Sequence, residues 1–507
     1  MVNFALMILI NHDKSKPALH FLTHTQNASS TNAIDTLALV KHFIKQHTHI
    51  IVFRQMKKSI YALKIVLSIS IVVANIKQVL ATHADSVVRI DTTLQTIVRD
   101  TVYVETKKKK GKAYIAFKTW YNNQKEEGLS TNTNKTTKKW YEMIALRGYA
   151  QFRYNRLAET NEKLKCEQCD RSWGEGGGFA FRRIRLVFYG QIGKHVYFYI
   201  QPDFASNASS SAQNFLQLRD AYFDLGIGKH NEFRFRIGQS KIPFGFENMQ
   251  SSQNRVTFDR SDAINSGIAN ERDIGIFFYW APEKMRTLFA DVVRDGLKGS
   301  GDFGIIGLGI YNGQTSNKPE LNKTPHVVLR ACYPIKIKNQ ILEPAIQGYS
   351  GKYMLSKDAL SSTVKFKSDR SYWDQRIAAS LVLYPKPFGI QAEYNFGRGP
   401  EFNKTNDSIE TKKLHGGYIT LSYFLPIKKH ILYPYFRAQY YKGGKKHELD
   451  ARSYEVQEYE LGIEYQPIKQ FEFVMAYVYS QRRFEDFVLQ DNFQKGHLIR
   501  LQAQLNF

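Results

Sequence analysis

Apolar and polar residues alternate along residues 495–507, the last thirteen of the chain. One strand face would carry Ile499, Leu501, Ala503, Leu505 and Phe507, and the other would carry Arg500, Gln502, Gln504 and Asn506. Because successive side chains of a strand point to opposite faces, this segment predicts one apolar face and one polar face. A closing strand of an outer-membrane barrel has this pattern. An edge strand of a soluble β-sandwich has it too, so this segment alone leaves both folds open.

The same alternation recurs in earlier segments of roughly ten residues, the length that crosses a bilayer when a strand is tilted. The sixteen predicted strands are residues 143–154, 180–191, 195–204, 216–226, 231–240, 271–281, 303–312, 325–334, 341–352, 373–384, 386–397, 413–425, 431–442, 453–466, 468–482 and 495–507. Together they predict an all-β fold, a transmembrane antiparallel β-barrel of about sixteen strands over residues 140–507.

Most charged residues of these strands fall on the polar face, where charge costs little because the face lines water. Strand parity places Arg183 and Arg185 inside the barrel and Ile184 outside it. It also places Arg182 on the face of Ile184, near the rim. Arg219 does not fit, since parity turns it toward lipid unless a bulge or the headgroup region accommodates it.

The connections between predicted strands alternate in length. Eight long ones lie on one side and seven lie on the other, which predicts a sixteen-stranded barrel with both of its ends on the periplasmic side. The connection at residues 282–302 is the longest on the short side. Its strand-like run at residues 287–293 would raise the strand number to eighteen if it found a partner.

Composition favours a barrel over helical membrane spans. Aromatic residues make up 14% of the chain, which suits the aromatic girdles of a barrel. The mean hydropathy is −0.40 because half of each strand is polar. No run of about twenty apolar residues occurs in the barrel region, which excludes transmembrane helices there. The formal net charge of +25 is spread over strands, so we do not expect nucleic-acid binding.

A secretory signal peptide is predicted at residues 56–84, where a basic start precedes an apolar core and small-residue cleavage sites. Residues 1–55 precede it, and we interpret them as a misassigned upstream extension. The alternative is a cytoplasmic segment before a signal anchor. Residues 85–139 contain a lysine run and a tract rich in Asn, Thr and Lys, and they predict a flexible periplasmic segment.

Eight stretches follow one another at the expected strand positions, at residues 140–155, 181–188, 195–204, 218–225, 237–247, 258–261, 271–275 and 309–313. Together they resemble the phosphate-selective porin O and P family over roughly residues 140–507. The resemblance implies a barrel in the outer membrane of a Gram-negative bacterium. It also implies a homotrimer and a pore lined with arginine and lysine.

The pore chemistry follows from the residues as well. An anion that enters a narrow pore loses water, and fixed cations must replace that water. Arginine suits phosphate because its guanidinium binds two oxygens at once. The pore-lining candidates are Arg147, Arg153, Arg183, Arg185, Arg234 and Arg236 on strands, with Lys241, Arg255 and Arg260 in the loop at 241–270.

By resemblance, the loop at 241–270 folds into the barrel and narrows it. The positions that match the family's central site are Arg182, Arg183, Asp220 and Lys241. Asn248, Met249 and Gln250 stand where a second lysine is expected, which leaves strict phosphate selectivity open. Two hypotheses therefore remain: an anion-favouring constriction, or a weakly selective general porin whose arginines pair with lumenal acids such as Asp203.

Cys166 and Cys169 lie in the first long loop, where an oxidising compartment permits a disulfide. A zinc site would need further ligands, and none is near in sequence. We expect no cofactor and no metal. A barrel adhesin or a barrel enzyme is the weaker alternative to a porin that passes small anions such as phosphate or polyphosphate. Expected partners are outer-membrane lipid, lipopolysaccharide and the barrel-assembly machinery.

The signal peptide predicts where the mature protein starts. Cleavage should leave a first residue between Thr82 and Asp85, and residues 1–55 should be dispensable for export. Amino-terminal sequencing of the protein from outer membranes checks this. A mature chain that retains residues from before Met56 would contradict the prediction.

Overall fold

The structure is a computed structural model that describes residues 140–170, 178–205 and 215–507. The segments predicted at 1–55, 56–84 and 85–139 lie outside the described residues. The strands are β1 (Ile144–Leu157), β2 (Phe179–Ile192), β3 (Val196–Asp203), β4 (Gln217–Ile227), β5 (Phe233–Lys241), β6 (Arg272–Trp280), β7 (Ile306–Tyr311), β8 (His326–Cys332), β9 (Ile335–Ile337), β10 (Gln340–Met354), β11 (Ser371–Leu383), β12 (Phe388–Asn403), β13 (Ser408–Tyr423), β14 (Leu425–Ile427), β15 (His430–Gly444), β16 (Ser453–Ile468), β17 (Phe471–Glu485) and β18 (Phe493–Asn506). The helices are α1 (Phe246–Met249), α2 (Asp262–Asn265) and α3 (Glu283–Arg294), with 3-10 turns at Trp140–Met143, Ser252–Asn254, Lys357–Ala359 and Leu449–Ala451.

The eighteen strands of the described chain form one closed sheet with sixteen crossings of the barrel wall. The short strand β9 continues β8, because both pair with β10, and β14 continues β13, because both pair with β15. β1 pairs with β2 on one side and with β18 on the other, which closes the ring. Closure leaves no strand edge unpaired in the hydrocarbon. The predicted sixteen-stranded barrel is confirmed.

The alternation along each strand separates a lipid face from a lumenal face. On β1, Leu146 is 59% exposed on the outside, and Phe152 lies on the same outer surface. Gln151 and Arg153, which alternate with them, are 1% exposed because they pack inside the barrel. The strand pattern thus reserves the outer surface for apolar side chains and sends the charged ones inward.

Two β-bulges determine the positions of Arg182 and Arg219, and the bulge at Arg219 is the alternative that the sequence left open. Gln151 pairs with Arg183 while the next residue pairs with Phe181, so Arg182 is an extra residue on β2. Likewise, Gln201 on β3 pairs with Asp220 and the next residue pairs with Leu218, so Arg219 is an extra residue on β4. A bulge inserts one residue and turns its side chain away from the normal alternation. The prediction that Arg182 shares the face of Ile184 is wrong, because both bulged arginines reach the lumen.

The connection at residues 282–302 does not contain a strand. The run at residues 287–293 lies within helix α3, whose Phe289 and Val292 are buried while its other residues are more exposed. The possible increase to eighteen crossings is therefore wrong. None of the described helices is long and apolar enough to cross a bilayer.

The barrel seam predicts a role for the last residue. The N–H and the carbonyl of Phe507 both bond to the backbone of Gly148 on β1, at 3.0 and 2.6 Å. Deleting Phe507 removes both bonds, each of which stabilises by about 0.5–1.5 kcal/mol. We expect less folded, heat-modifiable barrel in the outer membrane, measured by electrophoresis of unheated samples.

The matched control is Phe493→Ala, at the other end of β18 and also on the outer surface. It removes an aromatic ring from the same strand but leaves the seam bonds of Phe507 in place. Normal amounts of folded barrel after deletion of Phe507 would contradict the prediction.

Candidate functional site

The loop between β5 and β6, residues 242–271, folds into the barrel and is called the constriction loop. Its backbone N–H groups at Phe246 and Glu247 donate to the carboxylate of Glu393 on β12, at 2.7 and 2.8 Å. Further along, Asp262 forms ion pairs with Lys445 at 2.5 Å and with Arg482 at 3.0 Å. The loop therefore crosses from β5 to the far wall and narrows the lumen.

A second set of contacts fixes the constriction loop to the near wall. Asp259 accepts an ion pair from Arg153 on β1 at 2.9 Å, and Arg182 and Arg500 approach it at 3.5 and 3.8 Å. Burial alone would raise the pKa of Asp259, but Arg153 and its neighbours hold it well below the usual range. The carboxylate stays ionised and links the loop to three strands.

Beside this anchor lies a polar cavity of about 230 Å³ between the constriction loop and the wall of β2 to β4. Its ionisable lining includes six cationic side chains and three acidic ones. They are Arg182, Arg183, Arg185, Arg219, Arg260 and Lys318, with Asp203, Asp259 and Glu271. The excess of positive charge makes the cavity attractive to anions.

Four of the five cavity arginines have carboxylate partners. Arg185 pairs with Asp203 at 2.7 Å, and Arg260 pairs with Glu271. Arg183 differs from them. It is 4% exposed, its Nη1 donates to the side-chain oxygen of Gln151 at 2.8 Å, and it forms no ion pair within the described chain. The other two paired arginines are Arg182, which lies 3.5 Å from Asp259, and Arg219, which lies 3.9 Å from Glu271.

Arg255 in the constriction loop also forms no ion pair within the described chain. Its three nitrogens are buried and none has a hydrogen bond among the described residues. Burial lowers the pKa of Arg255 from its ordinary value, against the opposing effect of Glu247 and Asp259. Arg183 lies within electrostatic range of Arg255. Arg183 lines the polar cavity and Arg255 does not, so Arg255 acts there only through the field of its charge.

The other predicted site residues lie elsewhere in the lumen. Arg236 forms a two-bond pair with Asp224, and Arg234 pairs with Asp302 at 2.6 Å. Arg147 lies over the ring of Tyr189 on the same wall. None of these three arginines lines the polar cavity.

Two positions implied by the family resemblance have structural partners of their own. Asp220 pairs with Arg272 at 2.8 Å. Lys241 donates to the carbonyls of Met249 and Gln250, at 2.7 and 2.9 Å, and so holds the start of the constriction loop. Neither side chain lines the cavity, in contrast to Arg182 and Arg183.

Two cationic residues of the cavity lining, Arg219 and Lys318, were not predicted as site residues. The sequence did contain an indication for Arg219, because strand parity placed this charged residue on the lipid face, where charge is unfavourable. Lys318 lies in the long connection after β7, where alternation carries no information. Cys166 and Cys169 form a disulfide. Among the described residues, no group of His, Cys, Asp and Glu is arranged to hold a metal ion.

The anchor at Asp259 can be tested by Asp259→Asn. The change leaves Arg153 without its charged partner, and breaking a buried pair costs about 3 kcal/mol or more. We expect the constriction loop to detach more often and to become cleavable by trypsin after Arg255 or Arg260. Mass spectrometry of the fragments measures this.

The control for Asp259→Asn is Asp491→Asn, which makes the same change in an exposed pair with Lys404. Exposed pairs contribute little, so the loop should stay protected there. Equal protection of the loop in both variants would contradict the anchoring role of Asp259.

Comparisons with known proteins agree with the barrel. The family model for phosphate-selective porin O and P matches residues 164–507. A search of curated proteins found no match. The outer membrane channel DcaP of Acinetobacter baumannii is 16% identical, with 72% of this chain and 97% of that chain covered and a TM-score of 0.46. OmpF of Salmonella typhi in complex with daunomycin is 13% identical, with 72% and 97% covered and a TM-score of 0.45.

An anion-selective porin from Comamonas acidovorans is 10% identical, with 72% of this chain and 99% of that chain covered and a TM-score of 0.40. These structures are only distantly similar, so the assignment depends on the family match and on the closed barrel. The matched region includes β2 to β18 and all of the constriction loop. The chain belongs to the phosphate-selective porin O and P family and forms a porin channel in the outer membrane of a Gram-negative bacterium.

Proposed function

We propose that this porin favours small anions, with phosphate as the candidate solute, and that the cavity beside the constriction loop is its anion-binding region. The observation that carries the proposal is Arg183, which lines this cavity, and Arg255 adds positive charge from outside the cavity lining. Both guanidinium groups are buried, lie within electrostatic range of each other and have no carboxylate partner in the described chain.

An unpaired guanidinium can exchange its water for a passing anion, whereas a paired one is already neutralised by the protein. Arg183 keeps its orientation through Gln151, whose amide in turn donates to the carbonyl of Ser252 in the constriction loop. Neutral amide and carbonyl groups thus fix the orientation of the Arg183 guanidinium, and they leave its positive charge without a counterion.

The acids around the cavity set a limit on how tightly an anion binds. Asp203 and Glu271 line the same cavity and already neutralise Arg185 and Arg260. A channel needs binding that is favourable enough for entry and weak enough for exit. Because most of the cavity arginines are already paired with acids, we expect an anion to bind weakly enough to pass through the pore.

The alternative is a general porin with a balanced lumen. It is supported by the paired arginines on the wall of β5, where Arg236 binds Asp224 and Arg234 binds Asp302. The homotrimer and the contacts with lipid, lipopolysaccharide and the assembly machinery stay predictions.

Neutralisation of the unpaired arginines tests the proposal. In Arg183→Gln, the phosphate concentration that half-blocks chloride conductance should rise by about tenfold, because one charged hydrogen bond contributes roughly 1.5–3 kcal/mol. In Arg255→Gln it should rise by less, because Arg255 does not line the cavity and acts only through its charge. The reversal potential in a salt gradient should also shift toward the cation value. Both are measured on single channels at fixed low ionic strength, since salt screens the charges.

The matched control is Arg398→Gln, which removes the same charge from the outer surface, where Arg398 lies over the ring of Trp373. Block and reversal potential should stay as in the wild type. A cation-selective wild-type channel, or unchanged block in both lumenal variants, would contradict the proposal and favour the balanced pore.

A further inference from the structure

The connection at residues 282–302, called the periplasmic strap, also enters the lumen. It leaves the wall after β6 and returns to it at β7, and its middle contacts inward-facing residues of β15 and β16. Lys298 forms a buried ion pair with Glu464 on β16 at 2.6 Å. The carbonyl of Gly296 accepts a hydrogen bond from Tyr433 on β15 at 2.9 Å.

These contacts lie on the opposite side of the barrel from the ends of the strap. Five barrel strands separate β7 from β15 one way round, and seven separate β16 from β6 the other way. Glu464 and Tyr433 both lie near the short turns, which face the periplasm. The strap therefore crosses the lumen near its full width at the periplasmic end.

The strap meets the constriction loop inside the barrel. The amide of Gln250 donates to the carbonyl of Lys298 at 2.5 Å. Phe246 of the loop shares an apolar cluster with Val292 and Leu297 of the strap and with Tyr384. Two segments that enter from opposite ends of the barrel are thus packed against each other.

Their meeting leaves only a small gap beside the wall of β11 to β13. The space between the loop, the strap and the wall of β11 to β13 is about 20 Å³. That volume holds about one water molecule, so no hydrated ion passes there. The polar cavity of about 230 Å³ lies on the other side of the constriction loop, next to β2 to β4.

We infer that the periplasmic strap is a second constriction, held across the lumen by the Lys298–Glu464 ion pair, and that it confines solutes to the side of β1 to β5. The strap blocks the route along β11 to β13, and it does so from the periplasmic end. This inference rests on the chain being a pore and is independent of whether the pore favours anions.

Deletion of residues 296–300 tests the inference because the shortened strap cannot reach β16. We expect single-channel conductance to rise by roughly two-fold, since the strap divides the lumen across its width. Lys298→Gln and Glu464→Gln each break the ion pair, and we expect a smaller rise because Tyr433 and Gln250 still hold the strap. Heat-modifiability identifies the variants that fold.

The matched control is Lys336→Gln, which makes the same charge change on an exposed strand residue at the periplasmic end. Its conductance should equal that of the wild type. Wild-type conductance in a folded deletion variant overturns the inference. If the deletion variant does not fold, wild-type conductance in both Lys298→Gln and Glu464→Gln overturns it. Conductance and reversal potential are separate measurements, so failure here is distinguishable from failure of the proposed anion preference.

Discussion

The structure depends on the requirement that every backbone N–H and C=O group in the bilayer finds a partner within the protein. A lipid environment offers none, so the strands must close into a ring. The bonds between β1 and β18 complete that ring. Once the ring is closed, each strand side chain points either to lipid or to the lumen, and charged side chains are stable only in the lumen. This is why the lumen of the barrel collects so many arginines and acids.

The lumenal charges fall into two groups: those that form ion pairs within the protein and those that do not. Pairs such as Arg153 with Asp259 and Lys298 with Glu464 hold inserted segments against the wall. Burying such a pair costs desolvation energy, so the pair adds little net stability. Removing one partner leaves a buried unpaired charge, which costs more. The pairs therefore mainly fix the position of the inserted segment. Arg183 and Arg255 make no such pair, and Arg183 also lines the polar cavity, which is why we propose it as the anion-binding side chain.

The wall of the barrel could be predicted from the sequence, whereas much of its interior could not. Alternation has a period of two residues along every strand, so it locates the strands and their faces within a few residues. Alternation predicts the wrong face where a bulge adds one residue, as at Arg182, because the inward and outward positions exchange there. It also says nothing about chain that leaves the wall. Residues 287–293 have the composition of a strand, yet they form a helix because no neighbouring strand is free to pair with them.

The two bulges have a consequence for how such a pore can change over time. A substitution on a strand exchanges one lumenal side chain for another, or it places a charge in lipid. Insertion of one residue does neither: Arg182 and Arg219 reach the lumen while the preceding residues, Phe181 and Leu218, stay exposed on the outer surface. The barrel can thus gain a pore charge without changing its outer surface. Among related chains, one-residue differences in strand length are therefore expected to mark pores of different charge.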